Sequence, residues 1–354
     1  MTRDVVIAGA SFAGLAVARE LPDRALLLDP VDVGEGQTSA CGAPLGVLAA
    51  LGALGSVQQV HEHLVIHTPD REVRWPVPEP FCTFEYRACC RAALAGSGAP
   101  VVRAAARGHR RTVALTSAGD VPARVLVDCT GWRAALAGGA SEAPRPGSHP
   151  APRGRPILYF GLEADVPAPF APGLHFYFWP DVAPDGYAWA FPAGRTTRVG
   201  LLSYRARSRL GPALAAFLDR LGMPSGPLHG GFLRGGLHPP VVDGVFTVGD
   251  AAGQCLPLSG EGIRSAVLAG QVCGRLIGRA LDGRLTLEDA RARYSAFVRA
   301  QRRRYRVLRW ATVAVLTLPA RALGALAACV ARPGVLRTFM SHYLGMFAPK
   351  PGWE

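Results

Sequence analysis

The chain has 354 residues, of which 49% are hydrophobic and 18% charged, a balance that excludes global disorder and allows a large buried core. A net charge of +13 can indicate nucleic acid, an anionic membrane surface or a phosphorylated ligand as a partner. The charge comes from scattered arginines, with Lys350 as the only lysine, and no nucleic-acid-binding motif accompanies it. We therefore expect no nucleic-acid partner.

The cysteines and histidines lack the spacing of a metal site. Eight cysteines are spread along the chain and none forms a CxxC pair, which is typical of reduced thiols in a cytoplasm. His61 and His63 have the spacing of one strand face, but no carboxylate or cysteine completes a ligand set. We therefore predict a cytoplasmic protein without a metal site.

The chain opens with the pattern of a β-α-β unit. A β-branched apolar run at 4–8 predicts a buried strand, residues 15–21 predict a helix, and residues 25–29 predict a second buried strand. Such a start implies a parallel sheet with helices packed on it.

The elements predicted after this unit lead through a linker into an aromatic-rich sheet and then into helices. They are a short helix at 47–54, antiparallel strands at 60–84, a helix at 86–95, short strands at 99–130, a Gly-, Pro- and Ser-rich linker at 138–156, a sheet facing a cavity at 157–203, a helix at 211–222, a buried strand at 241–249, a helix at 261–280 and a mainly helical remainder.

The first turn fits a dinucleotide-binding pattern. Gly9-Ala-Ser-Phe-Ala-Gly14 matches GxGxxG with Ser11 in place of the second glycine, between a predicted strand and a predicted helix. A tight turn brings the backbone close to a pyrophosphate and aims a helix N-terminus at it. Asp29 ends the next strand, where a carboxylate accepts hydrogen bonds from adenosine ribose hydroxyls.

A second glycine-rich turn follows the predicted strand at 241–249. Gly249-Asp250 ends that strand, and Pro257-Leu-Ser-Gly-Glu-Gly-Ile263 leads into a helix. The positive end of a helix dipole stabilises negative charge, as on the edge of a reduced flavin. The two turns together predict a bipartite, non-covalent FAD site.

The segment GDAAGQCLPLSGEGIRSA at 249–266 closely resembles the C-terminal FAD motif of the geranylgeranyl reductase family, a branch of the para-hydroxybenzoate-hydroxylase-like flavoproteins. Arg87 stands where that family has an arginine-led helix beside the flavin. Thr130-Gly131 resembles its mid-chain turn, Cys41-Gly42 its loop over the flavin, and 186–192 its Tyr-x-Trp-x-Phe-Pro motif.

The resemblance implies an α/β fold: a Rossmann-like FAD-binding domain, an antiparallel β-sheet substrate domain and a helical C-terminus. We assign residues 1–59, 81–140 and 241–290 to the FAD-binding domain, 60–80 and 150–240 to the substrate domain, and 291–354 to the helical region. The cofactor-binding residues implied are Gly9, Ser11, Ala13, Gly14, Asp29, Cys41, Gly42, Arg87, Thr130, Gly131, Gly249, Asp250, Pro257, Gly260, Glu261, Gly262 and Ile263.

The implied chemistry is reduction of isolated double bonds in a prenyl chain by hydride from N5 of the reduced flavin. An unactivated alkene resists hydride attack, so protonation and close positioning must lower much of the barrier. The substrate would be a prenylated lipid, quinone, pigment or secondary metabolite. The sequence leaves NAD(P)H, ferredoxin and a free reduced flavin open as reductants.

Other functions of related flavoproteins compete with this interpretation. Aromatic hydroxylases often have histidine after GDAA, where this chain has Gly253, and flavin halogenases need a lysine that is absent before Lys350. A monooxygenase acting on a hydrophobic or aromatic substrate, a redox-neutral cyclase like the lycopene cyclases, and a non-catalytic flavin- or prenyl-binding accessory protein stay open.

Substrate-site residues follow from the same resemblance. Tyr187, Trp189 and Phe191 alternate, so they share one face of a strand, and with Pro192 they are expected to line a prenyl cavity rather than serve only as core. Cys41 is the candidate catalytic residue, as proton donor or positioning thiol. The alternative is that Cys41 has no catalytic role and is only a small buried loop residue.

The C-terminal region combines a basic cluster at 299–306 with apolar segments too short to span a bilayer. Trp310 follows that cluster, a combination typical of a helix lying in an anionic interface. We expect either peripheral contact with the inner face of the cytoplasmic membrane or a helical cap on the substrate domain.

Overall fold

The computed structural model describes residues 3–138, 157–206 and 209–349, and the predicted linker lies outside these ranges except for Gly138. The described residues form two mixed sheets and a helical C-terminal region, which confirms the predicted fold class.

The strands are β1 Arg3–Ala8, β2 Ala25–Asp29, β3 Gly42–Pro44, β4 Val57–Thr68, β5 Arg71–Phe84, β6 Val101–Arg103, β7 Ala106–Arg110, β8 Val113–Thr116, β9 Val121–Asp128, β10 Ile157–Val166, β11 Leu174–Tyr177, β12 Gly186–Ala193, β13 Thr196–Ser203, β14 Leu228–Gly235, β15 Val241–Val242 and β16 Val245–Thr247.

The helices are α1 Phe12–Arg19, α2 Leu45–Ala50, α3 Tyr86–Ala95, α4 Gly211–Leu221, α5 Ile263–Leu281, α6 Leu287–Arg299, α7 Arg302–Thr317, α8 Ala320–Val330 and α9 Pro333–Leu344.

The first sheet contains the predicted β-α-β unit. Its order is β15-β16-β9-β1-β2-β6, and the strands from β16 to β6 pair in parallel. In addition, β8 pairs antiparallel with β9, and β7 pairs antiparallel with β8. Residues Val5 to Ala8 are fully buried, because helices and loops cover both faces of a parallel strand. The carboxyl ends of β1, β9 and β16 therefore meet at one edge, where a nucleotide-binding crevice forms in such sheets.

Two predicted elements of this sheet have different bounds in the structure. The first helix begins at Phe12 instead of residue 15, because the chain turns at Gly9 and Ser11 already takes the N-cap position. The predicted strand at 241–249 is the antiparallel pair β15 and β16, because Asp243 and Gly244 have positive φ and form a tight turn.

The second sheet has the order β14-β10-β13-β12-β11-β4-β5-β3. It is antiparallel except where β11 pairs parallel with β4. The predicted domain boundaries at residues 60 and 80 fall within β4 and β5, since both strands are longer than the pattern indicated. Strand β3, placed with the FAD-binding part by sequence, pairs with β5.

The C-terminal helices cover one face of the second sheet. Trp75 on β5 donates a hydrogen bond from Nε1 to the carbonyl of Ala327 on α8 at 3.0 Å, and its ring lies 5.8 Å from that of Phe339 on α9. Within the described ranges no single helix has the length and hydropathy to cross a membrane; α8 and α9, bent by 89°, meet that criterion only as a pair.

Candidate functional site

A cavity of about 880 Å³ extends along the carboxyl edge of the first sheet, across the second sheet and under the C-terminal helices. This volume lies within the range of roughly 300–1,000 Å³ that is usual for ligand pockets. The predicted residues that line it are Gly9, Ser11, Ala13, Asp29, Cys41, Gly42, Thr130, Gly131, Tyr187, Trp189, Phe191, Gly249, Asp250, Gly260, Glu261, Gly262 and Ile263.

The glycine turn after β1 is packed against the end of β9. Gly9 has φ +98°, and a Cβ on it would lie 2.2 Å from the carbonyl oxygen of Cys129. Ser11 gives α1 no side-chain cap, and the first turn of α1 contains no acidic residue. Its first amides and the positive end of its dipole therefore face the cavity with capacity to bind an anionic group.

Asp29 fixes the same turn from the neighbouring strand. Its carboxylate accepts hydrogen bonds from Ala10 N at 2.8 Å and Val31 N at 3.1 Å. These bonds hold the carboxylate at the cavity wall at the end of β2, the position that suits ribose recognition.

Asp128 shapes the turn that follows β9. This fully buried carboxylate accepts hydrogen bonds from Thr130 N and Oγ1 and from Leu136 N and Ala137 N, at 2.7–2.9 Å. The predicted residues Thr130 and Gly131 are thereby held at the cavity. Asp128 itself stabilises this turn but does not line the cavity.

The GDAAG segment forms a 3-10 turn, Gly249–Ala252, ended by Gly253. Gly253 has φ +64°, and a Cβ on it would lie 1.9 Å from the Gly236 carbonyl oxygen, so no side chain fits there. Asp250 lines the cavity, and burial raises its pKa to about 7, opposed by the nearby Arg234 guanidinium. Arg234 also donates to the Ala251 carbonyl at 3.1 Å.

Two tyrosines of the second sheet hold the loop before α5. The Tyr187 hydroxyl donates to the Ser259 carbonyl, and the Tyr204 hydroxyl donates to the Leu258 carbonyl. Gly260, at φ +63°, lies directly against Tyr187. The start of α5 is therefore positioned by β12, which lines the apolar part of the cavity, and by Tyr204, which directly follows β13.

Four predicted site residues do not line the cavity. Gly14 packs inside α1 against Gly9, and Pro257 is buried in the loop before α5. The Pro192 carbonyl accepts hydrogen bonds from Thr83 and His61. The half-exposed Arg87 forms an ion pair with Glu35 at 2.8 Å, because α3 directs it outward.

The apolar part of the cavity is lined by aromatic rings. Tyr187, Trp189 and Phe191 share one face of β12, and Phe176 of β11 lies 5.8 Å from Tyr187 and 5.1 Å from Phe191 between ring centroids. The sequence also missed a large contribution from β4, β5 and the C-terminal helices: Leu64, Ile66, Trp75, Phe81, Ala311, Val315, Leu323, Leu326, Ala327, Val330, Phe339, Met340 and Tyr343.

Cys41 lies in the wall between the two parts of the cavity, before β3. It is fully buried with φ +49°, and its thiol donates to the Ser39 carbonyl at 3.4 Å. Burial raises the pKa of this thiol well above its ordinary value, so it stays protonated. Its catalytic role stays a prediction.

Glu163 is a second titratable residue of the same wall, and the sequence interpretation missed it. It is 3% exposed on β10, lines the cavity and accepts a hydrogen bond from Trp189 Nε1 at 2.6 Å. A lone glutamate in an alternating strand gives no sequence signal of this position. Within the described parts of the chain, no cluster of three or more His, Cys, Asp or Glu side chains suits a metal ion.

The geometry fits an FAD molecule. The close-packed Gly9, the uncapped start of α1, the fixed carboxylate of Asp29 and the protonatable Asp250 provide the contacts that a dinucleotide requires at the polar end. The aromatic end has the character of a pocket for an apolar ligand.

No family model matches the chain, but curated proteins resemble part of it. It is 33% identical to a digeranylgeranylglycerophospholipid reductase of Methanococcus aeolicus over 130 residues, 34% of this chain and 33% of the relative. The corresponding protein of Methanocaldococcus jannaschii is 36% identical over 118 residues, 30% of each chain. The match thus spans about a third of these relatives.

Solved structures resemble nearly the whole chain. A geranylgeranyl bacteriochlorophyll reductase-like protein from Thermoplasma acidophilum has a TM-score of 0.80 at 19% identity, covering 98% of this chain and 99% of its own. The flavin-dependent brominase Bmp2 has a TM-score of 0.76 at 15% identity, covering 100% and 96%. At such identities these likenesses show the fold. With the partial sequence match, they confirm the resemblance predicted from the motifs: this chain is similar to digeranylgeranylglycerophospholipid reductases over about a third of its length and has the fold of flavoproteins of this type.

Proposed function

We propose that the protein is an FAD-dependent oxidoreductase that reduces isolated C=C bonds of a prenyl chain, of the geranylgeranyl type. The observation that carries the proposal is one continuous cavity that joins the dinucleotide turns to an aromatic apolar chamber. The partial similarity to reductases named for digeranylgeranylglycerophospholipid supports the substrate class.

Different residues along the cavity would bind different parts of the cofactor. Gly9, Ser11 and the start of α1 would hold the pyrophosphate, and Asp29 the ribose. Gly260 and Gly262 would bring the start of α5 to the flavin ring. When bound and reduced, the flavin supplies a hydride.

The aromatic face of β12 would position the prenyl chain and exclude water from it. Trp189 is hydrogen-bonded to Glu163, and Phe191 packs close to Gly42, so protein contacts hold two rings of this face in place. Such preorganisation aligns an alkene that has no polar group near the reacting carbons.

The test is anaerobic. We would reduce the purified, FAD-loaded protein with dithionite, add geranylgeranyl diphosphate and related prenyl lipids, and analyse the products by mass spectrometry. Gain of two hydrogens per double bond supports the proposal. Oxygen insertion that requires air and NAD(P)H would assign a monooxygenase instead. Flavin that is reduced but never reoxidised by substrate would favour the accessory protein.

The reductant is proposed to be NAD(P)H or ferredoxin. Stopped-flow measurement of flavin bleaching with each donor separates them, since only the natural donor will reduce the bound flavin at a rate that sustains turnover.

We also propose that α7 contacts an anionic membrane surface. Val307, Trp310 and Val313 are 56%, 74% and 49% exposed, and Arg306 and Arg309 are exposed beside them. Ala311 and Val315 of the same helix line the cavity, so a lipid substrate would enter beside the surface that binds its bilayer.

Flotation with vesicles tests this contact. We expect binding to phosphatidylglycerol-containing vesicles at low salt, weaker binding at high salt, and loss in a Val307→Ser, Trp310→Ala variant. Leu54→Ser, at a leucine 51% exposed elsewhere, is the matched control. Absence of wild-type binding at low salt would exclude the contact.

A further inference from the structure

The buried Glu163 forms a pair with the partly exposed His229, whose side chain is 17% exposed, and the pair extends from the cavity wall towards solvent. Strands β10 and β14 pair it directly with His229, and Glu163 Oε1 lies 2.9 Å from His229 Nε2. Its other oxygen accepts the hydrogen bond from Trp189 Nε1. The carboxyl group thus lies between the indole N–H of Trp189 on the aromatic face and the imidazole of His229.

His229 leads from this carboxylate towards the surface. Its Nδ1 lies 3.7 Å from Asp165 Oδ2, and the side chain of Asp165 is 43% exposed. The Arg198 guanidinium is the other charged group facing the pair, 3.5 Å from Asp165 and fixed by the Ala40 and Phe84 carbonyls. The side-chain amide of Gln37 lies 3.2 Å from His229 Nε2.

Saturation of an alkene requires a proton as well as a hydride, and the proton must be replaced after each turnover. Cys41 is a poor source, because its thiol is hydrogen-bonded to the Ser39 carbonyl, a group that has no proton to return. The Glu163–His229 pair lies in the same wall and places a carboxyl oxygen 2.9 Å from an imidazole nitrogen. The other imidazole nitrogen faces Asp165, whose side chain is 43% exposed, so the pair leads from the cavity wall towards the surface.

We propose that Glu163 is the acid that protonates the alkene and that His229 returns the proton from solvent, an inference that rests on the function proposed above. In the reaction one C=C π bond breaks and two C–H bonds form. The hydride comes from the reduced flavin and the proton from the Glu163 carboxyl group, which is left as a carboxylate. An external donor, NAD(P)H or ferredoxin, then restores the two electrons.

Glu163→Gln tests this role because the amide keeps the size of the side chain and an acceptor for Trp189 but has no proton to give. We expect reoxidation of the reduced flavin by the prenyl lipid to slow by about 10²–10⁴-fold, the usual contribution of a general acid. FAD content and reduction by dithionite should match the wild type. Glu62→Gln, at an exposed glutamate on β4, is the matched control.

A titration without substrate tests the pair itself. Glu163 and Asp165 favour the charged imidazole and raise the pKa of His229, against the effects of burial and Arg198. By NMR, the pKa of His229 should therefore lie above its ordinary value in the wild type and be lower in Glu163→Gln. If the pKa of His229 is the same in Glu163→Gln as in the wild type, the proposal that the two residues share a proton is overturned.

The outcomes separate this inference from the proposed function. If the wild type reduces no prenyl lipid, both fail. If the wild type is active, Glu163→Gln keeps its rate and Cys41→Ala loses it, the proposed function stands and the inference is overturned. Should Glu163→Gln lose FAD, His229→Gln replaces it: slower repeated turnover supports the inference, and an unchanged rate overturns it.

Discussion

At the residue scale, small differences in position decide which motif residues face the ligand. Gly9 and Gly14 belong to one sequence motif, yet Gly9 lies at the cavity and Gly14 packs inside α1. Arg87 matches a family position, but its side chain forms an exposed ion pair with Glu35. The direction of a side chain depends on the helix that carries it, which a linear motif does not report.

Gly9→Ala tests the first turn. The added Cβ would lie 2.2 Å from the Cys129 carbonyl oxygen at a φ of +98°, so the turn must move away from β9. We expect loss of bound FAD and a decrease of about 2–4 kcal/mol in the free energy of unfolding of the apoprotein. FAD absorbance per protein and chemical denaturation measure the two effects.

Gly55→Ala is the control, since a Cβ there meets no atom within 4 Å. Retention of full FAD by Gly9→Ala would contradict the assignment of this turn to the cofactor.

At the element scale, one arginine ties the flavin motif to the C-terminal helices. Arg264 on α5 is 3% exposed and forms an ion pair with Glu261 at 2.8 Å. Its guanidinium also donates to the carbonyls of Tyr343, Leu344 and Met346 at the end of α9, at 2.7–3.2 Å. The motif therefore has a structural role in closing the cavity as well as a place in its wall.

Arg264→Gln should loosen α9 from α5. Breaking a buried ion pair leaves Glu261 uncompensated, which typically costs about 3–5 kcal/mol. We expect faster hydrogen exchange of the α9 amides and a lower free energy of unfolding. The exposed Arg284→Gln is the control, and unchanged exchange in α9 would show that other contacts hold this helix.

At the scale of the whole molecule, burial of histidines makes stability depend on pH. Burial lowers the pKa of His61, His67 and His238 to about 4 in each case. The unfolded chain takes up protons near pH 6.5 while the folded chain does not. The contribution of these histidines to stability is therefore fully present above pH 6.5 and is lost as the pH falls from 6.5 to 4.

His61→Gln should remove one part of this dependence. The shift of His61 corresponds to on the order of 3 kcal/mol between pH 6.5 and 4. Chemical denaturation at several pH values measures the change, and His63→Gln, at an exposed position of the same strand, should leave the dependence in place. An equal effect of both substitutions would show that burial is not the cause.

The sequence by itself determined the β-α-β start, the two glycine-rich turns and the alternating aromatic strand. These features have short-range causes: a run of buried residues, a φ that glycine favours and a period of two along a strand. The fold class and the resemblance to geranylgeranyl reductases followed from them and are confirmed.

Only the tertiary structure decided which distant residues meet at the cavity. Glu163 and His229 become neighbours through strand pairing, and α7 to α9 close the apolar chamber because their buried faces pack on the second sheet. The division of the predicted strand at 241–249 into β15 and β16 and the length of the β4–β5 hairpin also depend on such contacts. Long-range packing selects the partners and the directions of side chains, and local sequence patterns carry no record of that selection.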